Sequence, residues 1–191
     1  MHPLLREFLE QLALSQDDID AMGNDLVVED FPKGTVLLEQ GEVSNDCYFV
    51  LKGCVRQHAV DFDGKENTVN FFTEMQTAMV YKSYSKRVPS EYSLSCTEDS
   101  VLLVGDFFNE AVMFEKYPSL VGITREFMEE NLMTEQEDKA SFVTASPKER
   151  YLNLVKTRPE LIERVPQHQL ASYLGMTAES LSRIKKRVSQ D

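Results

Sequence analysis

The chain has 191 residues, 42% of them hydrophobic and 27% charged, which suits one large domain or two modest ones and excludes a disordered polymer. No apolar run approaches the ~18 residues of a membrane helix, and Met1-His2-Pro3-Leu4-Leu5-Arg6-Glu7 lacks the basic start and apolar core of a signal peptide, so a cytoplasmic protein with no membrane partner is expected. The net charge of −12, taken whole, argues against a nucleic-acid partner, but it is unevenly spread: residues 146–191 hold nine Lys/Arg against five Asp/Glu, a net of +4, which leaves −16 on the other 145 residues.

Residues 3–24 read as helical, with Leu4, Leu5, Phe8, Leu9, Leu12 and Leu14 in near-helical spacing and Ser15 starting a second helix with Asp18 at its third position. From about residue 26 short β-type runs take over, at 26–31, 35–38, 48–51, 55–60, 68–72, 91–95 and 100–104, broken by Pro32-Lys33-Gly34, Gly41, Lys52-Gly53 and Asp63-Gly64. Asp-Gly between alternating strands signals a hairpin, and seven short strands at this spacing predict an antiparallel barrel or roll.

Helical patterning returns with a short helix at 107–115 and a long one from Pro118-Ser119 to about residue 142. Leu120, Ile123, Phe127, Asn131 and Leu132 mark one face of it, although 134–141 is mostly polar. Such a helix can cover an edge of the roll and pair with its copy; the alternative is a surface helix packed on its own domain. Ser146-Pro147-Lys148-Glu149 combines a serine cap, proline in the first turn and a glutamate that reaches back, so a helix over 147–156 and a domain boundary near 144 are expected. A break follows at Arg158-Pro159.

Residues 165–188 read as two short helices around a glycine. Leu170, Ala171 and Leu174 form the buried side of the first, and Gly175 ends it in the left-handed conformation. Thr177 caps the second, whose inward face is Leu181, Ile184 and Val188 and whose outward face is Ala178, Glu179, Ser182, Arg183, Lys186 and Arg187. An outward face of this kind suits a major groove: Arg grips guanine, Glu accepts from cytosine, and Lys further along meets phosphate. A plain helical hairpin with a solvated charged face would share the spacing, but not the local positive charge.

The string Ala171-Ser172-Tyr173-Leu174-Gly175-Met176-Thr177-Ala178-Glu179-Ser180-Leu181-Ser182-Arg183 resembles the Crp/Fnr family of bacterial transcription regulators. The resemblance covers nearly the whole chain, with Gly34, Gly41, Gly53, Gly64 and the run Tyr48-Phe49-Val50-Leu51-Lys52-Gly53-Cys54-Val55-Arg56 similar to the family's cyclic-nucleotide-binding roll. It implies an α+β fold: an N-terminal antiparallel β-roll (double-stranded β-helix) over 1–117, a long dimer helix and linker over 118–144 carrying Leu120, Ile123, Phe127 and Leu132, and a helix-turn-helix domain over 145–191 with a reduced or absent wing. The implied partners are double-stranded DNA, a second copy of the chain and RNA polymerase. DNA contacts are expected from Gln167, His168, Thr177, Ala178, Glu179, Ser180, Ser182, Arg183, Lys186 and Arg187. Glu179 and Arg183 stand where the family reads bases; Ala178 replaces the arginine common before that glutamate.

The sensor half departs from nucleotide-binding relatives, which hold ribose with a Gly-Glu pair and phosphate with Arg and Ser/Thr about ten residues on. Ala78-Met79 and Pro89-Ser90 align there, so only Ser90 survives; Lys86 and Arg87 nearby read as loop charges in water, with substitution for the missing arginine as the alternative. Met79, Val80, Tyr81 and Ser90 mark where an effector pocket would lie, for an effector other than cyclic AMP, and Tyr81, Tyr84, Phe71 and Phe72 would line it or pack the core. No cofactor is implied. Cys47, Cys54 and Cys96 show neither disulfide nor zinc spacing and are too few for an iron–sulfur cluster. His2, His58 and His168 are scattered, reading as an exposed tip, a strand face and a helix surface. A metal enzyme of the cupin type needs clustered ligands on neighbouring strands, and only His58 lies there; with no nucleophile elbow, P-loop or dinucleotide fingerprint, an enzyme is not expected. The rival reading is a stand-alone β-roll sensor or protein-interaction module without DNA binding.

Overall fold

The computed structural model describes residues 1–12 and 14–189. Its first helix, α1 (Pro3–Glu10), starts on His2, whose Nδ1 accepts the Leu4 N–H at 3.2 Å. His2 is thus a helix cap rather than an idle tip. In α2 (Gln16–Asp25) the Ser15 hydroxyl accepts the Asp18 N–H, as the sequence implied, and donates to the Asp18 carboxylate at 2.7 Å.

Among the described residues eight strands follow: β1 (Val27–Phe31), β2 (Val36–Leu38), β3 (Asp46–Lys52), β4 (Val55–Val60), β5 (Glu66–Phe72), β6 (Thr77–Ala78), β7 (Ser93–Cys96) and β8 (Ser100–Asp106). They build two four-stranded sheets, ordered β1-β8-β3-β6 and β2-β7-β4-β5. In the first, β8 runs antiparallel to β1 (Glu29 opposite Leu102) and to β3 (Tyr48 opposite Val104). Seven strands were expected. The eighth, β6, is too short to show alternation, and α3 (Tyr81–Lys86) after it has neither an apolar period nor a side-chain cap. The helix expected at 107–115 begins later, as α4 (Glu110–Lys116), because the Asp106 carboxylate first takes the Phe108 N–H and the Asn109 amide in a turn.

The run Tyr48-Phe49-Val50-Leu51 is apolar throughout because its sheet is covered on both faces. Tyr48 and Val50 point into the roll with Leu38, Val55, Phe72, Ala78, Val80, Leu94, Cys96 and Leu102. Phe49 points the other way, into a cluster with Leu5, Phe8, Leu9, Ile19, Met22 and Tyr117, against which Leu51 packs. Its ring lies 4.7 Å from Phe8 and 4.8 Å from Phe127 of α5 (Ser119–Thr144). Leu120 also packs on this cluster, and Ile123 is half-buried. Of the expected dimer seam, then, Leu120 and Phe127 are committed to their own domain, while Leu132 is exposed, as are Val121, Met133 and Val143 on the same helix. At the end of α2, Asp25 accepts from Lys116 and from the Tyr117 hydroxyl, bonds that hold its carboxyl below the usual range.

The chain divides into two compact units, Met1–Gln57 with Phe71–Asn131, and His58–Asn70 with Leu132–Asp191. The division differs from boundaries drawn at 117 and 144. The outer part of the β4–β5 hairpin groups with the C-terminal helices, and α5 is shared between the units.

Lys52-Gly53 is the corner where the chain leaves one sheet for the other. Gly53 has φ +108° and donates its N–H to Glu74 at 2.9 Å, and a Cβ there would lie 2.3 Å from the Ser100 hydroxyl and 2.7 Å from its Cα. Gly53→Ala therefore combines backbone strain with a backbone clash and is expected to cost about 3 kcal/mol or more, read as a lowered urea midpoint at unchanged m-value.

Candidate nucleic-acid interface

The C-terminal helices are α6 (Pro147–Thr157), α7 (Pro159–Arg164), α8 (Gln167–Tyr173) and α9 (Ala178–Val188). The expected capping box opens α6: the Ser146 hydroxyl accepts the Glu149 N–H, and Glu149 accepts the Ser146 N–H at 2.8 Å. These backbone and hydroxyl donors hold the Glu149 carboxyl below its usual range. After the break at Arg158 a further short helix, α7, forms, which the sequence did not announce. Tyr151, Leu154, Leu161, Val165, Leu170, Ala171, Leu174 and Leu181 are the buried apolar residues around which the four helices pack.

The turn between α8 and α9 is built by Gly175. Its φ is +66°; its N–H donates to Ser172, and the Met176 N–H donates to Ala171, both at 2.9 Å. That pair of bonds satisfies the last carbonyls of α8. A Cβ at Gly175 would lie 2.6 Å from the Phe142 ring, which the Arg150 guanidinium covers at 4.3 Å, so the end of α5 packs on the turn itself. On α9 the Thr177 hydroxyl accepts the Ser180 N–H at 3.2 Å. Leu181 is fully buried, and Ile184 and Val188 are half-buried beside it, as the spacing predicts.

Of the ten residues proposed for DNA contact, Gln167, His168, Thr177, Ala178, Glu179, Ser182, Arg183, Lys186 and Arg187 are exposed or half-buried, and Ser180 is half-buried. Thr177 and Ser180 spend their hydroxyls on one another and on the cap. Gln167 donates to the Ala178 carbonyl at 3.4 Å, joining the start of α8 to the start of α9. Glu179 and Arg183 stand 3.4 Å apart as an exposed i,i+4 pair, with Arg183 also reaching the Ser180 hydroxyl. A pair so exposed is worth at most about 1 kcal/mol, so either member is free to turn to another partner. The last turn carries Lys185, Lys186 and Arg187, which complement the negative end of the helix dipole. Thr177→Ala should cost about 1 kcal/mol and fray the first turn of α9, seen as faster amide exchange at Glu179 and Ser180.

In the roll, the residues named for an effector point apart. Val80 packs in the core, Met79 is half-buried and Tyr81 is exposed. The Ser90 hydroxyl bridges the Tyr92 carbonyl and N–H within its own loop. Arg87, which has φ +55°, is held by the Ser44 carbonyl and the Asn45 side chain and lies 4.6 Å over the Phe107 ring. It is a strut of the fold, not a loop charge in water; Lys86 is exposed. Phe72 and Tyr84 pack inward, the Tyr84 hydroxyl donating to Glu110 at 3.3 Å, and Phe71 is fully buried. The donor set does not fit a cyclic nucleotide phosphate, since the nearest arginine is engaged with Ser44 and Asn45 and the nearest serine with Tyr92.

All three cysteines are free thiols, Cys54 and Cys96 buried and Cys47 half-buried. Burial, reinforced by Glu110, pushes the Cys47 thiol up to about 11. At pH 8 iodoacetamide should therefore modify Cys47 on the order of a hundredfold more slowly than a free thiol, with all three cysteines labelled once the chain is unfolded. Among the described residues no group of three or more His, Cys, Asp or Glu could hold a metal ion, and no helix is long and apolar enough to cross a membrane.

Residues 28–106 match the family of cyclic nucleotide-binding domains. A comparison with curated proteins matched none. Among solved structures, the c-di-GMP-responsive global regulator CLP of Xanthomonas campestris superposes with a TM-score of 0.71 at 17% identity over 93% of each chain. TTHA1359, a CRP/FNR-family transcriptional regulator from Thermus thermophilus, gives 0.65 at 17% identity over 86% of each chain. A CooA mutant from Carboxydothermus hydrogenoformans gives 0.67 at 16% identity over 97% of this chain and 84% of its own. The likeness read from the Gly175 turn and the roll thus extends to the architecture: residues 28–106 match the cyclic nucleotide-binding domain family, and the chain has the fold of the Crp/Fnr transcription regulators.

Proposed function

We propose that this chain is a sequence-specific DNA-binding transcription regulator of the Crp/Fnr type, acting as a homodimer in the cytoplasm and not as an enzyme. The observation that carries the reading is α9. Its inward residues are buried or half-buried, its cap is made, and Glu179, Ser182, Arg183 and Lys186 with Arg187 stand on its outer side. Two structural neighbours, the global regulator CLP and the CRP/FNR-family transcriptional regulator TTHA1359, support it.

In this reading α9 enters the major groove by its N-terminal turn. Arg183 leaves Glu179 to grip guanine O6 and N7, Glu179 accepts from cytosine N4, and Lys186 and Arg187 meet phosphates. Gln167 and His168, at the start of α8, approach the backbone. Two copies pair along the exposed side of α5, at Leu132 and its neighbours rather than at Leu120 and Phe127. That pairing sets two recognition helices about one DNA turn, ~34 Å, apart on a near-palindromic site. RNA polymerase is the further partner a regulator of this type implies. The effector acts on the roll and is not cyclic AMP, because, of the groups placed to hold its phosphate, Arg87 is bound to Ser44 and Asn45 and Ser90 to Tyr92.

The test is selection of bound duplexes from a random pool by the purified protein, with Arg183→Ala alongside. A palindromic consensus is expected for the wild type. Arg183→Ala should lose about 1–3 kcal/mol and relax one base position, whereas Lys186→Ala should weaken all duplexes alike and lower the salt slope by about one. Cyclic AMP should leave the enrichment unchanged. Without enrichment under any condition, the sensor-module reading replaces this one.

A further inference from the structure

We propose that Ser172 latches the β4–β5 hairpin to the first helix of the helix-turn-helix, making the hairpin a second handle, besides α5, on the DNA-binding helices; the functional part of this inference rests on the DNA-binding reading above. The central observation is a bond between residues 104 apart in sequence: the backbone N–H of Thr68 donates to the Ser172 Oγ at 2.9 Å. Strand β5 is the last of its sheet, so among the described residues its outer edge has no neighbouring strand. An edge amide is an open donor, and here a helix hydroxyl covers it. Thr68 is buried and Ser172 half-buried. Residues 58–70 accordingly form one compact unit with residues 132–191.

The hairpin is built to transmit position. Asp61 closes it: its N–H donates to the Lys65 carbonyl, its Oδ1 accepts the N–H groups of Asp63 and Lys65, and its Oδ2 accepts the Asn67 amide at 2.9 Å. These donors hold the Asp61 carboxyl below its usual range, so the turn stays tied through neutral pH. At the other end, β4 and β5 run into the roll core through Val55 and Phe72. On α8, Ser172 lies outside the buried row of Leu170, Ala171 and Leu174. The helix is therefore held by α9 along that row and by the hairpin at Ser172. A displacement of the outer hairpin is therefore a displacement of α8.

The experiment compares the full-length wild type with Ser172→Ala and Ser172→Thr, using residue-resolved amide exchange and duplex binding. Loss of the acceptor in Ser172→Ala should speed exchange at the Thr68 amide about three- to tenfold, with the Val50 amide in the roll core unchanged and the urea midpoint little altered. Ser172→Thr keeps a hydroxyl and should restore protection. Binding to the selected duplex should fall about three- to tenfold in Ser172→Ala and recover in Ser172→Thr. Unchanged Thr68 exchange in Ser172→Ala overturns the latch. Faster exchange with unchanged duplex affinity overturns its role in setting the DNA-binding helices. If the wild type binds no duplex while the exchange pattern appears as expected, the DNA-binding reading fails and the latch stands.

Discussion

A sheet buried on both faces governs the N-terminal half. Because successive side chains of a strand point to opposite sides, β3 must supply apolar residues at consecutive positions. Tyr48 and Val50 fill the roll, and Phe49 meets Phe8 and Phe127 on the outside. Each such aromatic removes enough apolar surface from water to contribute on the order of 2–3 kcal/mol. The consequence is architectural. The N-terminal helices and the first turns of α5 are fixed to the same sheet that closes the roll.

The helix-turn-helix obeys a different constraint, the close approach of backbone at Gly175. With a side chain there, the left-handed turn would be strained and the Phe142 ring displaced. Phe142 belongs to α5, so the geometry of the turn and the end of the long helix are one packing problem. The outward residues of α9 can be exposed only because this problem is solved on the opposite side, by Leu170, Ala171, Leu174 and Leu181.

These two constraints also explain what could be read in advance. The α8–α9 turn and its caps were legible because their signals are local: a glycine at the end of one helix, a threonine at the start of the next, and an i, i+3, i+7 apolar face. The strands of the roll were legible from their runs and glycine breaks. What escaped was non-local or too short to show a period, such as the two-residue β6 and the uncapped α3. The apolar stripe of α5 was correctly seen, but periodicity cannot say whether a stripe meets its own domain or a second copy, and Leu120 and Phe127 turn out to face inward. Arg87 illustrates the same limit. As a residue in a charged loop it reads as solvated, whereas its fate is decided by Phe107, twenty residues on.

The charge distribution bears on how such a protein would find its site. Beyond a Debye length, about 8 Å at physiological salt, the net charge of −12 is largely screened, so a duplex would be neither strongly drawn nor strongly repelled. Inside that distance only the nearest side chains count, and those on α9 include Arg183, Lys186 and Arg187. For a DNA-binding chain of this kind long-range attraction would contribute little, and non-specific binding, which depends on phosphate neutralisation, would be weak. Discrimination must then come from short-range contacts to base edges. The exposed Glu179–Arg183 pair fits that demand: held together it presents little net charge to a wrong sequence, and separated it offers one donor fork and one acceptor to a G·C pair.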